Sequence, residues 1–207
     1  MPTRVKICGL TRLEDALAAA QAGADAIGFV FAPGSPRRIR PEQAAAIAAA
    51  LPPFVTTVAL FVDAAPEEVQ AVVAVLRPDL LQFHGAEPPE YCAGFGLPYL
   101  KAVRVRAGVD LLQYAAAYAG ARGLLLDAYD PQRAGGTGLR FDWSLIPPGL
   151  GRPVVLAGGL DPDNVAEAVR RVRPWAVDVS SGVETAPGVK DAQRIRRFIQ
   201  EVRHADR

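Results

Sequence analysis

The feature that most limits how this chain can fold is a period. A short apolar run that breaks at a turn residue recurs along its whole length, and a helix-like segment follows each run. The first run is Val5-Lys6-Ile7-Cys8, which breaks at Gly9. The others are Asp25 to Phe31, Phe54 to Val62, Asp79 to Phe83, Tyr99 to Val103, Gly123 to Asp127, Pro153 to Ala157 and Trp175 to Val179. Between them the apolar spacing and the Pro and Gly punctuation predict helices. These run over Thr11 to Ala22, from Pro41 to the Pro52-Pro53 stop, and over Pro66 to Leu76, Pro88 to Ala93 and Val109 to Tyr118. A poorly formed one covers Phe141 to Leu145, and two more cover Asp163 to Val172 and Asp191 to Val202. Thr11 and Glu14 have the spacing of a capping box, and Asp161 before Pro162 reads as an N-cap. Strands that are apolar on both faces belong in parallel sheets covered on both sides. Eight such units in 207 residues predict an α/β chain folded as a single (βα)8 TIM barrel, one domain over 1–207. An open doubly wound sheet would usually have fewer strands and a Gly-rich loop after the first; here the Gly-rich turns come late.

Composition enters mainly as exclusion. The net charge is +1, so bulk charge gives no reason to expect nucleic acid or an acidic membrane surface. No run approaches the roughly 18 apolar residues of a membrane span. Two cysteines, Cys8 and Cys92, make neither a disulfide framework nor a metal cluster, so a reducing cytoplasm is the expected compartment. With His84 and His204 as the whole histidine complement, no histidine-built metal site is expected.

Ligands of parallel barrels bind at the C-terminal ends of the strands, and side chains alternate between the interior and the helix layer. If Val5 and Ile7 face the helices, Lys6 and Cys8 turn inward. The same parity can place Gln82 with His84, Leu125 with Asp127 and Asp178 with Ser180 on inward faces, and admits Lys101 on the inward face of the fifth strand. The mouth then offers a thiol, two carboxylates and an imidazole. A thiol and a carboxylate facing each other suit proton transfer from carbon and to oxygen. The thiol, with an ordinary pKa of about 8.5, needs help to act as thiolate near neutrality, which a nearby cation such as Lys6 or a helix N-terminus could provide. Each residue has a plainer reading too. Cys8 is also readable as a small buried hydrophobe, Asp127 as the cap of the following turn, and His84 as a satisfied structural histidine.

The late glycines suggest a phosphate site. Gly158-Gly159 follows the seventh run and Ser180-Ser181-Gly182 the eighth, the two loops whose backbone N–H groups commonly hold phosphate in such barrels. Tight turns alone would also explain them. Arg37 and Arg38, after the second run, could each pair with a ligand carboxylate or be solvated. Gly135-Gly136-Thr137-Gly138 reads as a candidate lid.

Taken together, these segments resemble one family. Lys6-Ile7-Cys8-Gly9-Leu10-Thr11, Ser35-Pro36-Arg37, Gln82-Phe83-His84-Gly85, Leu125-Leu126-Asp127 and Gly135-Gly136-Thr137-Gly138 are similar to motifs of the phosphoribosylanthranilate isomerases of tryptophan biosynthesis. So are Phe141-Asp142-Trp143, Ala157-Gly158-Gly159-Leu160, Asp178-Val179-Ser180-Ser181-Gly182-Val183-Glu184 and Pro187-Gly188-Val189-Lys190-Asp191, in the right order over nearly the whole chain. The resemblance implies a barrel with no metal and no organic cofactor, acting on a small phosphosugar by an Amadori rearrangement. It implies Asp127 as general acid, Cys8 as general base and Arg37, rather than Arg38, on the anthranilate carboxylate. Gly158, Gly159, Ser180, Ser181 and Gly182 would hold the phosphate, with His84 and Asp178 among the substrate contacts. A homodimer, as in heat-adapted barrels of this kind, is compatible with the sequence, although no residue shows it. Two positions depart from the family pattern: Phe83 stands where Leu is common, and Ala128 where Thr or Ser is frequent.

Overall fold

The structure, a computed structural model of the chain, describes residues 1–128 and 141–207. The segment Gly135-Gly136-Thr137-Gly138 lies outside the described residues. Eight strands close a parallel barrel in chain order. They are β1 (Arg4–Cys8), β2 (Ala26–Val30), β3 (Thr56–Phe61), β4 (Leu80–Phe83), β5 (Tyr99–Val105), β6 (Gly123–Ala128), β7 (Val154–Leu156) and β8 (Ala176–Val179). β8 closes on β1 with Lys6 opposite Asp178. The helices are α1 (Leu13–Ala22), α2 (Pro41–Ala49), α3 (Pro66–Leu76), α4 (Pro89–Ala93), α5 (Leu111–Ala117), α6 (Val165–Val172) and α7 (Ala192–Ala205).

The helix ends follow local chemistry. Proline opens α2, α3 and α4, where its missing N–H costs no hydrogen bond. Asp110 and Asp191 cap α5 and α7 by accepting two backbone N–H bonds each. The expected Thr11 cap is not made: Thr11 Oγ1 donates instead to the carbonyl of Gly188, 2.7 Å away, and α1 starts two residues later than expected. Asp161 caps a turn that precedes α6, accepting from Asp163 and Asn164. The expected helix at Phe141 to Leu145 is a single 3-10 turn, Trp143–Leu145.

Two layers of packing result. Leu100, Ala102, Leu125, Val155, Ala157 and Ala176 fill the barrel interior. A larger cluster joins the outer strand faces to the helices. Phe83 is fully buried there and meets Phe61, Phe95, Tyr91 and Tyr99 at ring separations of 5.7 to 6.2 Å. The chain's three lysines are all buried, each in an ion pair: Lys6 with Asp178, Lys101 with Glu87 and Lys190 with Glu184.

The structure corrects the expected direction of Lys101. Leu100 and Ala102 occupy the interior, so Lys101 between them turns outward. Its ammonium donates to the Gly85 carbonyl at 2.6 Å and to Glu87 at 2.7 Å, beside the Tyr118 ring. Glu87 also accepts from the Asp63 and Gly85 N–H groups. This buried staple fixes the loop that follows β4. A feature not expected from the sequence is a two-stranded antiparallel ribbon between β8 and α7, formed by β9 (Glu184–Ala186) and β10 (Val189–Lys190).

Candidate active site

The C-terminal mouth of the barrel opens into a cavity of about 610 Å³. Cys8, Arg37, Gln82, His84, Asp127, Gly158, Gly159, Asp178, Ser180 and Ser181 all line it. Strand parity therefore gathers most of the expected site residues on one wall system, from six different strands or the loops that follow them.

On one side stand β1 and β8. The strand register sets Lys6 beside Asp178, and their side chains form a buried ion pair of 2.9 Å. Cys8 lies one pleat above Lys6. The neighbouring strand supplies Gly28, and its lack of a side chain is a matter of space. A Cβ there would meet the Cys8 sulfur at 2.9 Å and the Lys6 ammonium nitrogen at 3.1 Å. Thiol and ammonium thus crowd the same point over Gly28. Burial pushes the Cys8 thiol up, and the Lys6 charge offsets this only in part. Burial works to lower Lys6, but the Asp178 carboxylate and Cys8 together outweigh it and Lys6 ends above its ordinary value. The ammonium is therefore a fixed positive charge beneath the thiol.

On the other side stand β4 and β6. Gln82 Nε2 lies 3.0 Å from His84 Nδ1, and His84 Nε2 lies 3.0 Å from an Asp127 carboxylate oxygen. With the amide donating, the imidazole carries its proton on Nε2 and donates it to Asp127. The other Asp127 oxygen accepts from the Ala128 backbone N–H at 2.8 Å. That bond needs no side chain, so Ala128 in place of Thr or Ser leaves Asp127 anchored. Gln82 Oε1 is buried with no partner among the described residues.

The loops after β2 and β8 complete the rim. The Arg37 stem passes over Gly9, and its guanidinium grips Glu184 through Nε at 2.8 Å and Nη2 at 2.7 Å. Lys190 donates to the same carboxylate at 2.7 Å and to Ser180. Burial would raise the Glu184 carboxyl, but its bonds to Arg37 and Lys190 hold it below the usual range. Arg37 is raised by the Glu184 bond. Lys190 is lowered by burial, which Glu184 offsets only in part. Arg38 lies in the bridge to β2 and is not part of the cavity wall.

Gly158 and Gly159 adopt left-handed backbone, with φ of 83° and 63°, which glycine adopts without strain, and both line the cavity. Gly182 is different. A Cβ on it would fall 2.0 Å from the Leu160 carbonyl oxygen, so it is required by the contact of the two loops and does not line the cavity. Glu184 and Lys190 carry no role expected from the sequence, although both fall in the motifs named above. The available signal was composition: in a chain whose cations are nearly all Arg, each Lys marks a special place. Among the described residues no group of three or more His, Cys, Asp or Glu side chains is gathered to hold a metal ion.

Comparison with known proteins places the chain in a family. The family model described as N-(5'phosphoribosyl)anthranilate (PRA) isomerase matches residues 5–201. The chain is 62% identical to N-(5'-phosphoribosyl)anthranilate isomerase of Thiobacillus denitrificans, over 98% of this chain and 99% of that one. It is 59% identical to the enzyme of that name from Pseudomonas putida, over 98% of each. Among solved structures, phosphoribosyl anthranilate isomerase from Thermotoga maritima superposes with a TM-score of 0.89 at 45% identity, covering 98% of this chain and 99% of that one. The Thermus thermophilus enzyme gives 0.88 at 45% identity, over 97% and 98%. A barrel with an inward thiol, a carboxylate and a rim arginine, matched over nearly its full length by these isomerases, belongs to the N-(5'-phosphoribosyl)anthranilate isomerase family.

Proposed function

We propose that this chain, working as one barrel domain, converts N-(5'-phosphoribosyl)anthranilate to 1-(2-carboxyphenylamino)-1-deoxyribulose 5-phosphate in tryptophan biosynthesis. Asp127 gives a proton to the ribose ring oxygen, the bond from that oxygen to C1 breaks, and an iminium forms between C1 and nitrogen. Cys8, as thiolate, takes the proton from C2. The C–H electron pair becomes the C1–C2 double bond and the iminium pair returns to nitrogen. The enolamine then gains a proton at C1 and loses one from the C2 hydroxyl to give the ketone. Proton transfer of this kind contributes typically about 10²–10⁴-fold per group.

The observation that carries the reading is that Cys8 and Asp127 line one cavity from its two sides, each with its own buried partner. Arg37 would hold the anthranilate carboxylate, and Gly158, Gly159, Ser180 and Ser181 the phosphate, with Gly182 behind them shaping the loop. His84 acts through Asp127, and Asp178 through Lys6 and on the sugar hydroxyls. One solved relative, 44% identical, is described in complex with reduced 1-(o-carboxyphenylamino)-1-deoxyribulose 5-phosphate, which supports a phosphosugar ligand here. Another relative, from Thermotoga maritima, is described as dimeric. On that likeness a homodimer is proposed, to be checked by sedimentation equilibrium. A cytoplasmic enzyme is the expectation; among the described residues no helix is long and apolar enough to cross a membrane. The activity is tested by following loss of the substrate's anthranilate fluorescence on adding purified protein. Steady multiple turnover is expected, and unchanged fluorescence would contradict the proposal.

A further inference from the structure

We propose that Glu184 and Lys190, on the ribbon after β8, form a charge-balanced clamp that aims Arg37 at the carboxylate of the substrate. The inference rests on Arg37 as the carboxylate holder. A guanidinium offers two forked edges, one made by Nε with Nη2 and one by Nη1 with Nη2. Glu184 occupies the first edge with bonds of 2.8 and 2.7 Å. Among the described residues no hydrogen bond occupies Nη1. Arg37 lines the cavity, so the second edge is what remains for a ligand.

An Arg–Glu pair alone would be a poor anion receptor, because the two charges cancel. Lys190 changes the balance. It is buried, donates 2.7 Å to the same Glu184 oxygen as Arg37 Nε, and leaves the three groups with one net positive charge. The clamp is held in place from several directions. Gly188 N–H donates to Glu184, Lys190 N–H donates to Asp15 on α1, and Arg194 of α7 donates to the Glu184 carbonyl. The Arg37 stem is pinned where it crosses Gly9, since a Cβ there would meet its Cδ at 2.5 Å. Glu184 therefore supplies direction and Lys190 supplies the surplus charge. Both are positioning residues, because neither lines the cavity.

Two ligands separate this role from a merely structural one. The first is reduced 1-(o-carboxyphenylamino)-1-deoxyribulose 5-phosphate. The second is the same molecule without the ring carboxylate. Binding of each is measured by calorimetry to the wild-type protein and to Glu184→Gln, Lys190→Met and Arg37→Met. Glu184→Gln and Lys190→Met are each expected to weaken the carboxylate ligand about tenfold, to raise KM more than they lower kcat, and to leave the decarboxylated ligand within twofold. Glu184→Asp, which keeps the charge, is expected to recover part of the loss. An equal loss for both ligands would mean that the ribbon had merely collapsed, and would overturn the proposal. Unchanged carboxylate binding in both clamp variants, with Arg37→Met impaired, would overturn the clamp and leave the role of Arg37 standing. Normal carboxylate binding by Arg37→Met would overturn both.

Discussion

The two sides of the mouth hold the two groups proposed to react in different ways. Cys8 sits in a charged environment: a buried ammonium beneath it, itself neutralised by Asp178. Asp127 sits at the end of a hydrogen-bonded chain from Gln82 through His84. The difference matches what each group would do in the proposed reaction. A buried thiol resists ionisation, and only a nearby positive charge can favour the thiolate. A carboxylate proposed to give up a proton is served instead by a side chain held in hydrogen-bond contact with it, as His84 is with Asp127. One side is built around a fixed charge and the other around a movable proton.

The largest effect expected is on the proton side. Asp127→Ala should lower turnover by about 10²–10⁴-fold, with circular dichroism showing the barrel intact. The charged side should then respond in a way the proton side cannot. Lys6→Met removes the cation that favours the thiolate, so the thiol moves further up. Turnover near neutrality should fall about 10–100-fold, because each unit of pKa is worth about 1.4 kcal/mol. The rate should also recover as pH rises. The sign follows from the direction of the shift: Cys8 already lies above its ordinary value, so the wild-type rate should rise with pH through the alkaline range, and the variant's rise should be displaced to still higher pH. His84→Asn should lower turnover and leave the alkaline limb in place. A His84 variant that moved the alkaline limb as Lys6→Met does would erase the contrast between the two sides.

Most of the fold was legible because the period of strand and helix is carried by apolar residues and by Pro and Gly at fixed offsets. Strand parity likewise brought Cys8, Gln82, His84, Asp127 and Asp178 to one mouth. What stayed hidden was pairing across distant segments. The partner of Lys6 lies 172 positions away, and only barrel closure brings Asp178 beside it. Thr11 has the spacing of a helix cap, yet its hydroxyl is taken by a carbonyl of the ribbon. Lys101 was misdirected because a lone Lys in an apolar run gives no sign of which neighbours face inward; Leu100 and Ala102 decide it. The ribbon itself is two short strands around Pro187-Gly188, too brief for alternation to show.

Smaller effects sharpen the comparison from the structural side. Cys92 is buried among the helices and its thiol is pushed up to about 12, chiefly by burial. A folded thiol held above its unfolded value retains its proton longer, so stability should fall as pH rises from about 9 toward 12. Urea unfolding at stepped pH checks this, and Cys92→Ala should flatten the slope. At pH 8, iodoacetamide should leave Cys92 unmodified in the folded protein while reacting slowly with Cys8, which borders the cavity. Phe83→Leu should cost about 1 kcal/mol, the worth of its aromatic contacts, with turnover unaltered.

The most direct test of the central claim is the turnover of purified, folded Cys8→Ala protein, followed by loss of the substrate's anthranilate fluorescence beside the wild type. A thiolate that removes the C2 proton predicts a fall of about 10²–10⁴-fold that higher pH does not rescue. Turnover within a few-fold of wild type would show that another group takes that proton.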